Sequence, residues 1–250
     1  MAVSIKSARE IELMREAGKR LAHVHQELEA MIAPGISTWE IDAKGEKLIR
    51  DCGCIPNFLH YNGYPASICV SVNDEVVHGI PRKDRYLKEG DIVSLDAGLI
   101  YKGYHSDAAR THAVGKVSTE AQKLMDVTKQ SFFEGIKMAK EGQHLHDISR
   151  AIEEYVTPYG YGIVRDLVGH GIGTALHEDP QIPNYAQKRR GVRVQAGMTL
   201  AIEPMINAGT WQVRFLRDGW TVVTKDGSLS AHYENTILVT DGEPEILTLY

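Results

Sequence analysis

Cysteine is scarce in this sequence and long apolar runs are missing, and both absences narrow the class of protein. Only Cys52, Cys54 and Cys69 occur among 250 residues, too few for the disulfide framework of a small secreted domain. Cys52 and Cys54 lie close together but have no second cysteine pair, which argues against a zinc knuckle. No segment reaches the length of a transmembrane helix, and the charged N-terminus lacks the apolar core of a signal peptide. We therefore expect a cytoplasmic protein that makes no membrane contact.

An excess of positive charge, a dinucleotide-binding loop and a flexible linker are also absent. The formal net charge is −5, which argues against a general nucleic-acid binder, and we expect no specific nucleic-acid partner. The basic run at 188–190, with Arg193, is interpreted as a solvated loop. Residues 169–173 read GHGIG, and this spacing does not match the G-x-G-x-x-G pattern. Without a Pro/Gly/Ser-rich linker, residues 1–250 are expected to form a single domain.

The segment DIVSLDAGLIYKGYHSDAART, residues 91–111, predicts a β-hairpin with an acid on each strand. The Lys-Gly pair at 102–103 suits a two-residue turn, and this turn places Gly98 opposite Asp107. Asp96 then shares a sheet face with Asp107, as a diagonal neighbour about 7–8 Å away at the backbone. Two carboxylates on one buried face repel each other unless a cation lies between them. An exposed hairpin with two unrelated acids is the alternative from this segment alone.

The order of the predicted elements repeats once along the chain, over about 8–112 and about 118–240. Capping boxes at Ser7 and Ser37 open two helices, which are followed by strands and by the hairpin. From Ser118 the order begins again with a helix to about Lys140 and a shorter helix. Landmarks of the two halves match at an offset of 107 positions (142−35 for the first pair), namely Gly35 with Gly142, Ile41 with Ile148, Gly90 with Gly197 and Asp96 with Glu203. We interpret this pattern as one α+β domain with two similar halves around a shared central site.

A second pair of acids occurs in the second half. Glu203 matches Asp96 in the repeat, and a second predicted hairpin, turning at 226–227, returns in a strand that carries Glu234. Four carboxylates that face one cleft do not all ionise without cations, and two divalent ions balance their charge. Two metals about 3.5–4 Å apart hold a hydroxide that attacks a carbonyl or phosphoryl centre. The oxygen-rich donor set suits manganese, iron or cobalt at least as well as zinc.

Three of the eleven histidines lie in turns just before the acidic segments. His78 occurs in VVHGIP, and His170 and His177 occur in LVGHGIGTALHEDP. Their placement predicts one metal ligand and two hydrogen-bond donors to a substrate. The others are expected to be structural, with His25 exposed on the first helix and His232 on a strand without a matched partner.

The ordered set of possible ligands makes the chain recognisable. Asp96, Asp107, His170, Glu203 and Glu234, with HGIP at His78 and HGIG at His170, closely resemble the pattern of the methionine aminopeptidases, and the resemblance covers essentially the whole chain. It implies the α/β (α+β) pita-bread fold, in which two pseudo-symmetric halves surround a central antiparallel sheet with helices on the outside. It also implies two divalent metal ions (Mn, Fe, Co or Zn) on these five residues, with Asp107 serving both ions and His170 the sole nitrogen ligand.

The same resemblance implies the reaction. A hydroxide bridging the metals attacks the first peptide carbonyl, and Glu203 is the proton shuttle. His177 stabilises the tetrahedral intermediate, and His78 contacts the nitrogen of the scissile amide. The free α-amino group of the substrate binds the metals, so that only one residue is removed.

The resemblance further implies an apolar pocket for the methionine side chain. The residues at its positions are Phe58, Tyr61, Tyr64, Cys69, Leu176 and Trp220. Phe58 and Leu176 depart from the commoner bacterial pattern, which has a cysteine and an aromatic residue there. The resemblance therefore does not determine the shape of the pocket. Simple core packing is the alternative role for these two residues.

The short interval between Glu203 and Glu234 leaves no room for an inserted subdomain, so the chain resembles the minimal bacterial form of type I. Expected substrates are nascent chains that begin with Met and a small second residue, with the ribosome as a candidate partner and a monomer as the expected state. Two alternatives stay open. An Xaa-Pro aminopeptidase or prolidase shares the fold and ligands but usually carries a separate N-terminal domain. A catalytically silent peptide-binding protein on this fold typically loses metal ligands.

Overall fold

The helices follow the predicted capping signals. In the computed structural model, which describes residues 3–249, the α-helices are α1 Ala8–Glu29, α2 Thr38–Asp51, α3 Thr119–Ile136 and α4 Leu145–Val156, with short 3-10 turns at Tyr61–Gly63 and Thr157–Tyr159. Both predicted capping boxes are present, at Ser7 with Glu10 and at Ser37 with Glu40. In each, serine and glutamate side chains satisfy backbone N–H groups that a helix start leaves unpaired. Helix α3 ends at Ile136, before the predicted end at Lys140.

The strands form one large antiparallel sheet and two small ones. The strands are β1 Ile55–Pro56, β2 Ile68–Val72, β3 Glu75–Val77, β4 Ile92–Tyr101, β5 Tyr104–Ala113, β6 Gly162–Ile163, β7 Gly169–Gly171, β8 Glu178–Ile182, β9 Thr199–Ile202, β10 Met205–Asn207, β11 Val213–Phe215, β12 Val222–Thr224, β13 Ser230–His232, β14 Glu234–Leu238 and β15 Glu245–Ile246. The large sheet has the order β1-β4-β5-β14-β9-β7-β8, with β2 beside β4 and β15 beside β14. The small sheets are β13-β10-β6 and β11-β12-β3.

Strands β4 and β5 form the predicted hairpin in the predicted register. Gly98 pairs with Asp107, and Asp96 pairs with Ala109. The turn residues both have positive φ, 48° at Lys102 and 85° at Gly103, as the tight turn of a two-residue hairpin requires.

The second predicted hairpin is wrong in its pairing. Residues 226–227 do form a turn, in which Ser228 N–H donates to Asp226 Oδ1 at 3.0 Å. Strand β12, however, pairs with β11 and β3, β13 pairs with β10, and β14 lies between β5 and β9. The physical reason is that β14 is buried along its whole length, and a central position between two long-range partners buries both of its faces.

The helices cover one face of the large sheet. On β4, Val93, Leu95, Ala97 and Leu99 pack in one apolar cluster with Leu21, Val24 and Leu28 of α1 and Ile41 of α2. A second cluster joins Phe132 of α3 and Ile148 of α4 to Leu200, Ile202 and Ile237. Because side chains alternate along a strand, Asp96 faces away from α1 and α2. The acids and the helices therefore lie on opposite faces of the sheet.

The arrangement of helices and strands follows the order of the sequence repeat, since α1 and α2 precede β4 and β5 while α3 and α4 precede β9 and β14. The division of one domain into two halves at about 8–112 and about 118–240 stays a prediction. Among residues 3–249, no helix combines the length and the apolar character needed to cross a membrane.

Candidate metal centre

The register of the large sheet places the acids in neighbouring rows on its open face. Asp96 pairs with Ala109, which in turn pairs with Glu234 on β14. Asn235 pairs with Ile202, so Glu234 comes opposite the residue that follows β9, which is Glu203. Paired residues of antiparallel strands point to the same face. Three strands thus bring Asp96, Glu203 and Glu234 to one side of the sheet.

Asp107 and His170 lie in the adjoining row. In the register of the β5–β14 ladder, Asp107 lies opposite Thr236. The Thr236 hydroxyl accepts from the Asp107 N–H at 3.1 Å and donates to the Asp107 carbonyl at 2.9 Å. Thr236 pairs with Ala201, and Ala201 pairs with His170 on β7. This row therefore places His170 on the same face as the acids. Its strand, β7, lies towards the opposite edge of the sheet from β4.

The distances among these side chains suit a shared cation. Single donor atoms of Asp107, His170 and Glu234 all lie within 4.8 Å of one another, and all three residues are buried. The Nε2 atom of His170 lies 3.9 Å from Asp107 Oδ2 and 3.6 Å from Glu203 Oε1. Two ligands that each lie about 2.0–2.2 Å from one ion are separated by at most about 4.4 Å. These two separations therefore fit ligands of one ion.

Several of the donor atoms have no other partner in the part of the chain that the structure describes. Asp96 Oδ1, Asp107 Oδ1 and Glu234 Oε1 are buried without a hydrogen bond within residues 3–249. An unpaired buried polar atom costs about 1–3 kcal/mol, and more when it is charged. A divalent cation would offset that cost at all three oxygens, so the residues present fit a metal.

Burial is the largest cause that raises the pKa of all four acids. It raises the pKa of Asp96 to about 7. It also raises the pKa of Asp107, Glu203 and Glu234 well above the ordinary value, and the charges of neighbouring acids add to the effect. Repulsion within the group thus opposes full ionisation, and a bound cation reverses this effect.

His170 presents one nitrogen to the acids. Its Nδ1 donates to the carbonyl of Gly171 at 2.9 Å, which leaves the lone pair of Nε2 facing Asp107 and Glu203. Burial, with a smaller contribution from the charge of His177, lowers the pKa of His170 to about 4. A neutral imidazole oriented by a second hydrogen bond is the form that ligates a metal.

The two histidines predicted to contact substrate lie near this centre. The ring centroids of His177 and His170 are 4.3 Å apart, and the Tyr61 hydroxyl lies 2.8 Å from His177 Nδ1. Burial lowers the pKa of His177. Burial also lowers the pKa of His78 to about 4, and the charge of His177 adds to that shift. Both side chains are therefore neutral hydrogen-bonding groups near neutral pH.

The six predicted pocket residues belong to a single apolar cluster. Its buried members include Phe58, Tyr64, Cys69 and Leu176, and Tyr61 and Trp220 are partly buried against them. Tyr64 and Trp220 meet edge to face, with ring centroids 5.2 Å apart. Cys69 pairs with Asp96 in the β2–β4 ladder and so shares its face of the sheet. The apolar cluster thus adjoins the acidic centre.

Two histidines differ from the sequence expectation. His25 was expected to be exposed but is 1% exposed, with Nε2 at 2.8 Å from the Ala108 carbonyl, because the buried stripe of α1 is wide enough to include it. His232 was expected to be structural, on a strand without a matched partner; neither of its ring nitrogens has a hydrogen-bond partner within residues 3–249, but its Nε2 lies beside the acids, 3.9 Å from Glu234 Oε2 and 4.0 Å from Glu203 Oε2. Its position two residues before Glu234 in an extended segment was the signal that pointed to it.

This face of the sheet groups four acids and a neutral histidine beside an apolar cluster, an arrangement that fits the divalent-metal site of a metal-dependent enzyme. The family model for metallopeptidase family M24 matches residues 12–241, and the chain belongs to this family. The methionine aminopeptidase of Clostridium acetobutylicum is 53% identical, over 99% of this chain and 99% of that protein. The methionine aminopeptidase 1 of Bacillus subtilis is 51% identical, over 97% and 98%.

The solved structures agree. The methionine aminopeptidase of Thermotoga maritima superposes with a TM-score of 0.97 at 46% identity and covers 100% of both chains. The prolidase of Pyrococcus furiosus has a TM-score of 0.78 at 23% identity and a match to 98% of this chain but 65% of its own length; this likeness shows the fold alone. The predicted pita-bread fold is therefore confirmed.

Proposed function

We propose that this protein removes the N-terminal methionine from proteins and peptides in a metal-dependent reaction. The observation that carries the proposal is the set of donor atoms from Asp107, His170 and Glu234, which lie within 4.8 Å of one another next to an apolar cluster. The chain-long identity to methionine aminopeptidases supports the same conclusion.

Asp96, Asp107, His170, Glu203 and Glu234 would hold two divalent ions. When bound, such ions polarise a carbonyl oxygen and lower the pKa of water. Four carboxylates match the charge of two divalent cations, and their oxygens suit manganese, iron or cobalt as well as zinc. The number and identity of the ions are part of this proposal.

The protein's own groups supply the proton transfers and the charge stabilisation. The raised pKa of Glu203 suits a carboxylate that takes a proton from the attacking water and returns it to the departing amine. His177 donates a hydrogen bond to the carbonyl oxygen as negative charge develops there. His78 contacts the nitrogen of the scissile amide and holds the peptide bond in line.

Specificity follows from the apolar cluster and from the metals. A linear thioether side chain would pack against the cluster that contains Phe58, Tyr64, Cys69 and Leu176, where aromatic edges favour sulfur. A metal held by these residues would bind the substrate's α-amino group and so limit removal to one residue. Nascent chains in the cytoplasm, with a small second residue, are the proposed substrates of a monomeric enzyme that works at or near the ribosome.

A peptide panel tests the proposal. Metal-stripped protein is assayed with Met-Ala-Ser, Met-Lys-Ser and Ala-Pro-Ser, after separate addition of manganese, iron, cobalt or zinc. Release of methionine from Met-Ala-Ser alone, and only with metal, is the expected result. Cleavage of Ala-Pro-Ser instead would assign an Xaa-Pro activity, and no cleavage by folded, metal-loaded protein would leave a peptide-binding role.

A further inference from the structure

Tyr61 makes a specific polar contact that its place in an apolar pocket does not require. Its hydroxyl lies 2.8 Å from Nδ1 of His177, and the centroids of the two rings are 5.4 Å apart. No other hydrogen bond to the His177 ring occurs within residues 3–249, and Tyr61 makes none through its hydroxyl to any other of these residues.

The turn that carries Tyr61 is held by its own backbone. Tyr61 N–H donates to the Phe58 carbonyl at 2.9 Å, and His60 N–H donates to the Tyr64 carbonyl at 2.8 Å. His60 and Asn62 adopt left-handed conformations, with φ of 68° and 49°. Such conformations are costly for residues other than glycine, so this turn is fixed by its surroundings. Tyr61 is thus placed by a turn with its own backbone hydrogen bonds.

We propose that Tyr61 is a positioning residue that sets the tautomer of His177. The Tyr61 hydroxyl donates to Nδ1, so the single proton of the neutral imidazole is held on Nε2. This inference rests on the proposed function, in which His177 donates a hydrogen bond to the developing oxyanion.

The opposite arrangement does not serve that reaction. If Nδ1 carried the proton and donated to Tyr61, Nε2 would present a lone pair to an oxygen that gains negative charge, and the two would repel. A neutral phenol and a neutral imidazole allow both arrangements. Within residues 3–249 the hydroxyl has no second acceptor for its proton, so it can donate to Nδ1.

Kinetics of Tyr61→Phe provide the first test, because phenylalanine keeps the ring and removes the hydroxyl. On a Met-Ala-Ser substrate we expect kcat to fall about tenfold with KM nearly unchanged, which is part of the about 10²–10³-fold that an oxyanion donor supplies. In a His177→Ala background the same change should have no further effect on kcat. Tyr104→Phe is the matched control, because its hydroxyl donates to Glu10 Oε1 at 3.0 Å instead and kcat should be unchanged.

A higher KM without a change in kcat would mean that Tyr61 only lines the pocket, and independent losses in the double variant would separate it from His177. Either result overturns the proposal.

A spectroscopic test does not depend on turnover. In zinc-loaded protein, ¹⁵N NMR of the His177 ring should show the proton on Nε2, and Tyr61→Phe should give a mixture of tautomers. A proton on Nδ1 in the unmodified protein, or an unchanged spectrum in the variant, would refute the role of Tyr61. If the peptide panel fails while the tautomer responds as expected, the proposed function is wrong but the contact is as inferred.

Discussion

At the scale of single residues, Gly98 controls the space around Asp107. The two residues pair across β4 and β5, and a Cβ at position 98 would lie 2.6 Å from Asn57 Nδ2 and 3.0 Å from Asp107 Oδ1. Asn57 is itself buried and donates to the Ser106 carbonyl at 3.2 Å. Because glycine has no Cβ, the Asn57 amide and the Asp107 carboxylate both fit beside position 98.

Gly98→Ala should displace the Asp107 carboxylate and weaken metal binding. Crowding of this kind costs about 1–3 kcal/mol of folding stability, and a shifted ligand lowers affinity for a divalent ion. Isothermal titration calorimetry of metal-stripped protein with manganese measures the affinity. Gly242→Ala is the control, since the nearest atom to a Cβ there is 3.8 Å away; equal affinities for the two variants would contradict the argument.

Glu203→Gln should separate proton transfer from metal binding. The amide keeps an oxygen beside His170 but cannot carry a proton, so kcat should fall by about 10²–10⁴-fold. Activity on Met-Ala-Ser and bound metal per chain, measured on the same samples, distinguish the roles. Retained activity would exclude Glu203 as the proton shuttle, and Glu12→Gln, an exposed acid on α1, should leave both quantities unchanged.

At the scale of elements, the segment that precedes α1 is tied to the turn before β8. Lys6 is 7% exposed, and its ammonium donates to Glu178 Oε2 at 2.7 Å. The other oxygen of Glu178 accepts from Ala175 N–H at 3.2 Å, and Lys6 N–H donates to the Gly197 carbonyl at 2.8 Å. The pair thereby links residues distant in sequence beside His177.

Lys6→Met should destabilise the fold because it leaves the Glu178 carboxylate without its cation. Loss of one partner from a buried pair costs about 3–5 kcal/mol, and the partial exposure of Glu178 reduces this figure. Urea unfolding should show the loss, and Lys6→Met with Glu178→Met should recover part of it. Lys19→Met removes an exposed pair with Glu16 and should cost less than about 1 kcal/mol; a similar loss in both single variants would refute the role of burial.

At the scale of the whole molecule, charge burial makes stability depend on pH and on metal. Asp96 has a pKa raised from 3.8 to about 7, so the folded state binds more protons, and this contribution is lost as pH rises through that range. The pKa of His170 is lowered from 6.5 to about 4, so its contribution is lost as pH falls through that range. A bound metal removes the cost of ionising Asp96 in the folded protein, because it stabilises the ionised acids.

Metal should therefore stabilise the protein more at about pH 8 than at about pH 6, since its ligands must be deprotonated. The increase in Tm when manganese is added to metal-stripped protein, measured at both pH values, tests this expectation. His170→Ala should reduce the increase at both. An increase that is equal at the two pH values would show that the acids are ionised without metal.

Local signals in the sequence determined most of the elements. The capping boxes at Ser7 and Ser37 fixed two helix starts, and the Lys102-Gly103 turn fixed the β4–β5 register and the shared face of Asp96 and Asp107. These features depend on neighbouring residues, so spacing alone reveals them. The ordered acids and histidines also indicate the family without reference to the fold.

The tertiary structure decided what depends on partners distant in the chain. It inserted β14 between β5 and β9, where the sequence had predicted a local hairpin, because only there are both faces of the strand buried. It placed His232 near Glu203 and Glu234, and it buried His25 against β5. It also brought Tyr61 into contact with His177, a residue too distant in the sequence for a periodic pattern to predict the contact. Such contacts result from the packing of whole elements, and composition and spacing do not encode them individually.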